Sequence, residues 1–153
     1  MADCCPAPVA LTPARAVVAG MAAPSRLLLI EADEAIATAL CRGLGRHGWM
    51  VLTVPTAKAG LQLQTEWTPH VVALASDLPD MTVGRLVARL AEQVGCIIFV
   101  LFGHEDDHLR RMVLEQGAHE VMSKPMRAKE LAARLRTAQC RLGQPAIAPD
   151  RLR

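Results

Sequence analysis

The sequence predicts an α/β domain: one parallel sheet of five strands with helices on both faces. Three observations predict it. Apolar runs of strand length alternate with helix-periodic stretches five times over, beginning at Arg26. The runs are continuously apolar, as strands covered on both sides are. Strict strand–helix alternation with right-handed crossovers leaves few other arrangements.

The elements follow in order. "RLLLIE" (26–31) reads as the first strand and leads into Asp33, a predicted N-cap for a helix to about Arg46, with Ile36, Leu40 and Leu44 on one face. The chain turns at Gly48 into "WMVLTV" (49–54), the second strand. Thr56 can cap the next helix, with Leu61 and Leu63 partly buried, until Thr68 and Pro69 stop it. "VVALA" (71–75) is the third strand, and 83–93 the third helix, with Leu86, Val87 and Leu90 inward. "CIIFVLF" (96–102) is the most hydrophobic strand. A fourth helix from about Glu105 to Gln116 places Leu109, Met112, Val113 and Gln116 at i, i+3, i+4 and i+7, with Gly117 as its stop. "EVMSK" (120–124) is the fifth strand, and 127–140 the closing helix, with Leu131 and Leu135 inward.

Residues 26–140 thus form one domain, between a leader (1–25) that reads as disordered and a tail (141–153) that reads as a flexible linker. A chain of 153 residues buries roughly two-thirds of its unfolded surface. Two tryptophans, two phenylalanines and no tyrosine leave Ala, Leu and Val to fill the core and argue against base-stacking platforms. The net charge of +2 comes with scattered arginines, so nucleic acid is not indicated. Cys4, Cys5, Cys41, Cys96 and Cys140 lack CxxC spacing and nearby histidines, which argues for reduced thiols in a cytoplasmic protein and against zinc. No apolar run approaches the ~20 residues of a membrane span. Pro6, Pro8, Pro13 and Arg15 break the leader as a signal peptide, and Met21 is a second possible start.

Several motifs dissolve on inspection. Gly43, Gly45 and Gly48 spell GxGxxG, but they end a helix and lead into a strand, the reverse of a dinucleotide fingerprint. His104 and His108 have i, i+4 spacing among Glu105, Asp106 and Asp107, which an acid-rich helix start explains without a metal. No nucleophile elbow occurs. Ser123-Lys124-Pro125 is more telling: a lysine closing the last strand, before a proline that can be cis, projects an ammonium over the carboxyl edge of the sheet.

From about Arg26 to Cys140 the chain resembles the receiver domain of bacterial two-component response regulators. The landmarks are "LLLIEADEAI", "RHGWMV", "TPHVVALASDLPDM" and "LEQGAHEVMSKPM". The resemblance implies a flavodoxin-like strand order, 2-1-3-4-5, with the crevice at the carboxyl ends of strands one and three. It also implies five functional groups: a phosphoacceptor aspartate, an acid pair for Mg2+, a hydroxyl, a lysine and a switch aromatic. The corresponding positions here are Ala75, Glu31 with Ala32, Phe102, Lys124 and Val121. The lysine and half of the acid pair are therefore retained. Asp77 lies two residues past the strand end, and a one-residue slip would turn the strand's side chains to the wrong face.

The expectation is a degenerate receiver, non-enzymatic and without an Mg2+ cofactor, acting by protein–protein contact. As in the family, the face of the fourth helix, fifth strand and fifth helix is expected to dock a partner or second copy, here through Arg110, Arg111, Glu115, Arg134 and Arg136. The competing expectation is the receiver portion of a DNA-binding transcriptional regulator. A small flavodoxin-like ligand binder would need a phosphate-cradling glycine loop after a strand, and none is present.

Overall fold

A computed structural model describes residues 24–142, residue 94 excepted. Most of the leader, with Cys4, Cys5 and Met21, and the tail from 143 lie outside the described residues. The order is β1 (Arg26–Ile30), α1 (Glu34–Arg46), β2 (Met50–Val54), α2 (Ala57–Trp67), β3 (Val71–Ala75), α3 (Val83–Ala91), β4 (Ile97–Phe102), α4 (Asp107–Gln116), β5 (Glu120–Ser123) and α5 (Ala128–Arg141). All strand pairs are parallel and the sheet order is β2-β1-β3-β4-β5, as the sequence predicts.

Alternation of side chains across the pleat divides the core in two. Leu27, Leu29, Val71, Ala73 and Phe99 meet α1 and α5, while Leu28, Ile30, Val72, Leu74 and Val100 meet α2, α3 and α4. Every residue of β3 and β4 is buried. At about 1.5–3 kcal/mol for each large aliphatic side chain, these two strands anchor the domain. Gly43 lets α1 approach α5 closely, because a Cβ there would overlap the Ala128 methyl group.

The caps fall where short polar side chains precede helices. Asp33 accepts from the N–H groups of Ala35 and Ile36, and Thr56 from that of Ala59. The fourth helix begins two residues later than expected, because Asp106 is the residue that caps it, accepting from Leu109 N at 3.0 Å. Of its expected apolar face, Val113 is buried, Leu109 and Met112 are partly so, and Gln116 is exposed. Ser25, assigned to the leader, belongs to the fold: its carbonyl accepts from Met50 N and its hydroxyl donates to Gln139. Cys41 is disulfide-bonded, against the expectation of reduced thiols, whereas Cys96 and Cys140 are free. Burial pushes the Cys96 thiol up to about 11, so it stays protonated at neutral pH.

The amino edge of the sheet carries a repeated device that the sequence did not announce. His70, just before β3, donates its backbone N–H to Arg26 O at 3.0 Å and accepts from Arg26 N through Nδ1 at 2.9 Å. His119, just before β5, does the same with Ile98, at 2.8 and 3.0 Å. Each imidazole thus supplies an acceptor to an N–H of the neighbouring strand. Both need Nδ1 unprotonated.

Burial, then the Arg26 guanidinium, pulls the His70 pKa below its ordinary value, and burial alone does so for His119. With folded pKa values below the unfolded 6.5, the contribution to stability is complete above pH 6.5 and is lost as pH falls through the depressed values. The urea midpoint is expected to drop between pH 7.5 and pH 5, and the drop should shrink in a His70→Gln/His119→Gln variant, whose amide oxygens accept at both pH values.

Candidate functional site

At the carboxyl edge, β1 is extended by Glu31, whose N–H donates to Val54 O at 3.0 Å. Its side chain is buried, at 3% exposure. One carboxylate oxygen, Oε1, lies 2.7 Å from Lys124 Nζ, and the other accepts from Asp33 N at 3.0 Å. Lys124 is held in turn by its own N–H, which donates to Phe102 O at 2.7 Å, and by a cis bond to Pro125. The two retained residues of the sequence reading are therefore brought together, across 93 residues of chain, as a closed ion pair.

The other expected positions, Ala75, Phe102, Val121 and Ala32, carry apolar side chains. Ala75 is fully buried at the end of β3, and Phe102 is 1% exposed at the end of β4. Val121 is buried within the core on the α2–α3–α4 side of the sheet. Ala32 is exposed at the start of the loop to α1. Asp77 is also exposed, on the loop after β3, and Asp33 is committed to capping α1.

One carboxylate of this region escaped the sequence reading. Asp80 reaches back from the loop after β3 to the first turn of α2, accepting from Ala57 N at 2.9 Å and Lys58 N at 3.0 Å. Those two N–H groups, with the Lys58 charge adding a little, hold its carboxyl below the usual range. Pro79-Asp80 could be read as a turn, but nothing local reveals that its partner is a helix start 23 residues earlier.

Mg2+ takes near-octahedral oxygen coordination and is bound through one or two carboxylates. At this edge one carboxylate is central, and both of its oxygens are already engaged by Lys124 and by Asp33 N. Among the described residues no group of three or more His, Cys, Asp or Glu side chains could hold a metal, His104 and His108 included.

The expected docking face divides. Arg111 and Glu115 are exposed on α4, with Leu114 at 43% exposure between them. Arg110 lies 3.9 Å from Glu105, which also accepts from Ser123 Oγ, and Arg134 binds Glu120 of β5 at 2.7 Å. Arg136 does not join them, a correction to the sequence reading: its guanidinium donates to His47 O, at the end of α1, at 3.0 Å. Two residues along a helix turn the side chain by about 200°, so Arg134 facing β5 sends Arg136 to the other side.

Comparison with known proteins assigns the domain to a family. The family described as response regulator receiver domain matches residues 27–136. The chain belongs to that family. It is 36% identical over 110 residues to the transcriptional regulatory protein AfsQ1 of Streptomyces coelicolor, covering 72% of this chain and 49% of that one. It is 32% identical over 130 residues to the transcriptional regulatory protein KdpE of Mycobacterium tuberculosis, covering 81% of this chain and 58% of the relative. The chain thus spans about half the length of these curated relatives. Among solved structures, a CheY-like receiver domain protein of Methanospirillum hungatei superposes with a TM-score of 0.75 at 20% identity, covering 79% of this chain and 98% of that one. The BeF3-activated N-terminal receiver domain of Klebsiella pneumoniae RstA does so at 0.70 and 26% identity, covering 74% and 97%.

Removing one partner of a buried ion pair strands the other's charge. Lys124→Met is therefore expected to destabilise by roughly 3 kcal/mol. A double variant, Glu31→Gln/Lys124→Met, should lose less than the two single changes summed. A double-mutant cycle in urea measures this, and additive losses would mean that the pair is not coupled.

Proposed function

We propose that this receiver domain is degenerate: it keeps the fold, has lost phosphoryl transfer and its Mg2+ site, and acts as a cytoplasmic, non-enzymatic protein-interaction module in two-component signalling. The observation that carries this reading is the closed Glu31–Lys124 pair at 2.7 Å, together with the fully buried Ala75 methyl at the end of β3. A phosphoryl acceptor needs a nucleophilic carboxylate, and a methyl group has none. The lysine that would grip a phosphoryl oxygen neutralises an internal carboxylate instead. Asp77, the nearest exposed carboxylate after β3, lies beyond the strand end.

The partner, or a second copy, would dock on the face of α4, β5 and α5. Arg111, Glu115 and the exposed Leu114 support this, while Arg110 and Arg134 are already partly answered by Glu105 and Glu120. Among the described residues no helix is long and apolar enough to cross a membrane. A second reading takes the chain as the receiver portion of a DNA-binding transcriptional regulator. It is favoured by relatives named as transcriptional regulatory proteins, of which this chain spans about half. A reading frame that continues past Arg153 into a helix-turn-helix would carry it.

Incubation with Mg2+ and acetyl phosphate is expected to leave the intact mass unchanged, and Mg2+ alone to leave the melting temperature unchanged. Gain of one phosphoryl group, abolished by Asp77→Ala, would overturn the reading in favour of a surrogate acceptor.

A further inference from the structure

Three open clefts between the described helices differ in the charges that line them. The cleft between α2 and α3 carries both Arg89 and Glu92, and the one beside the β3–α3 loop both Arg85 and Asp80. The third runs along the α1 side of α5, with a volume of about 520 Å³, and the charged side chains in its lining, Lys129 and Arg136, are both basic, with His47 beside them. Ala132, Ala133 and the Cys140 side chain give it an apolar floor.

Its shape follows from the spacing of two helices. At Gly43 the helices nearly touch, since a Cβ there would overlap Ala128. Further along, the gap is wide enough for Arg136 to reach across to His47 O, while the His47 ring lies 3.0 Å from Gly43 O. A guanidinium is thereby fixed at the mouth of the groove. The surrounding sequence supplies no counter-charge: 40–48 and 131–142 contain no Asp or Glu, but do contain Arg42, Arg46, Arg134, Arg136 and Arg141. Of these five, Arg134 alone forms a salt bridge among the described residues, to Glu120 of β5. Glu130, the nearest carboxylate in sequence, is exposed and is not part of the groove lining.

The geometry points to this groove as a docking site for an acidic amphipathic helix of a partner protein. Apolar side chains at i, i+3, i+4 and i+7 would lie against Ala132, Ala133 and Cys140, and flanking carboxylates would meet Lys129 and Arg136. A nucleic-acid backbone fits less well, because it would cover an apolar floor for the sake of few cations. A second copy also fits less well. In the chain's own acidic run, Glu105 is engaged by Ser123 and Arg110, and Asp106 caps α4. The groove is separate from the α4–β5–α5 face, so either can fail without the other.

The probe is a labelled helical peptide with Leu at i, i+3, i+4 and i+7 and Glu elsewhere, followed by fluorescence anisotropy and by amide spectra of the full chain. A Lys-for-Glu peptide and a short DNA duplex are the comparisons. The acidic peptide is expected to bind, to perturb amides around His47, Lys129 and Thr137, and to weaken about tenfold or more in Lys129→Glu and in Ala133→Trp. Both side chains are exposed, so circular dichroism should stay native. Arg85→Glu, on α3, should leave the affinity unchanged. The proposal is overturned if the acidic peptide does not bind, or binds no better than its lysine counterpart. It is equally overturned if neither groove variant weakens binding, if the duplex displaces the peptide, or if sedimentation shows a dimer that Ala133→Trp dissociates.

Discussion

A parallel sheet buried on both faces leaves polar chemistry two places to go, the carboxyl ends and the amino ends of its strands. With β3 and β4 wholly buried and helices packed on either side, a charged or hydrogen-bonding side chain within a strand would face only hydrocarbon. The domain obeys this constraint at each edge. Glu31 and Lys124 stand at the carboxyl ends of β1 and β5, and His70 and His119 at the amino ends of β3 and β5. What distinguishes this receiver lies at those strand ends, while the layers between them are ordinary aliphatic packing.

Much of this fold was legible because its signals are local. A continuous run such as "IIFVLF" can hardly be anything except a doubly covered strand, and Asp33 or Thr56 before an apolar-periodic stretch announces a helix start. The fourth helix was harder. Glu105, Asp106 and Asp107 are all acceptable near a helix start, and only the geometry of Asp106 with Leu109 N selects among them. The positions of the carboxyl edge were legible through resemblance, yet the pairing of Glu31 with Lys124 was not, because contacts across 93 residues leave no periodic trace.

The same limit explains the histidines and Arg136. A histidine just before an apolar run looks like any polar residue at a strand end, and its acceptor role depends on which strand lies alongside. Arg134 and Arg136 look alike in sequence, both basic and both exposed on α5. Helical rotation separates them, so one belongs to the β5 edge and the other to the α1 groove.

The Glu31–Lys124 contact also limits how this sequence can drift. A buried carboxylate without its ammonium, or the ammonium without its carboxylate, would be a liability of several kcal/mol in a domain whose whole margin is about 5–15 kcal/mol. Loss of either residue alone would be selected against, whether or not the site carries phosphoryl chemistry. The lysine can thus persist for reasons of folding alone, and its presence in such a chain is a poor witness to catalysis.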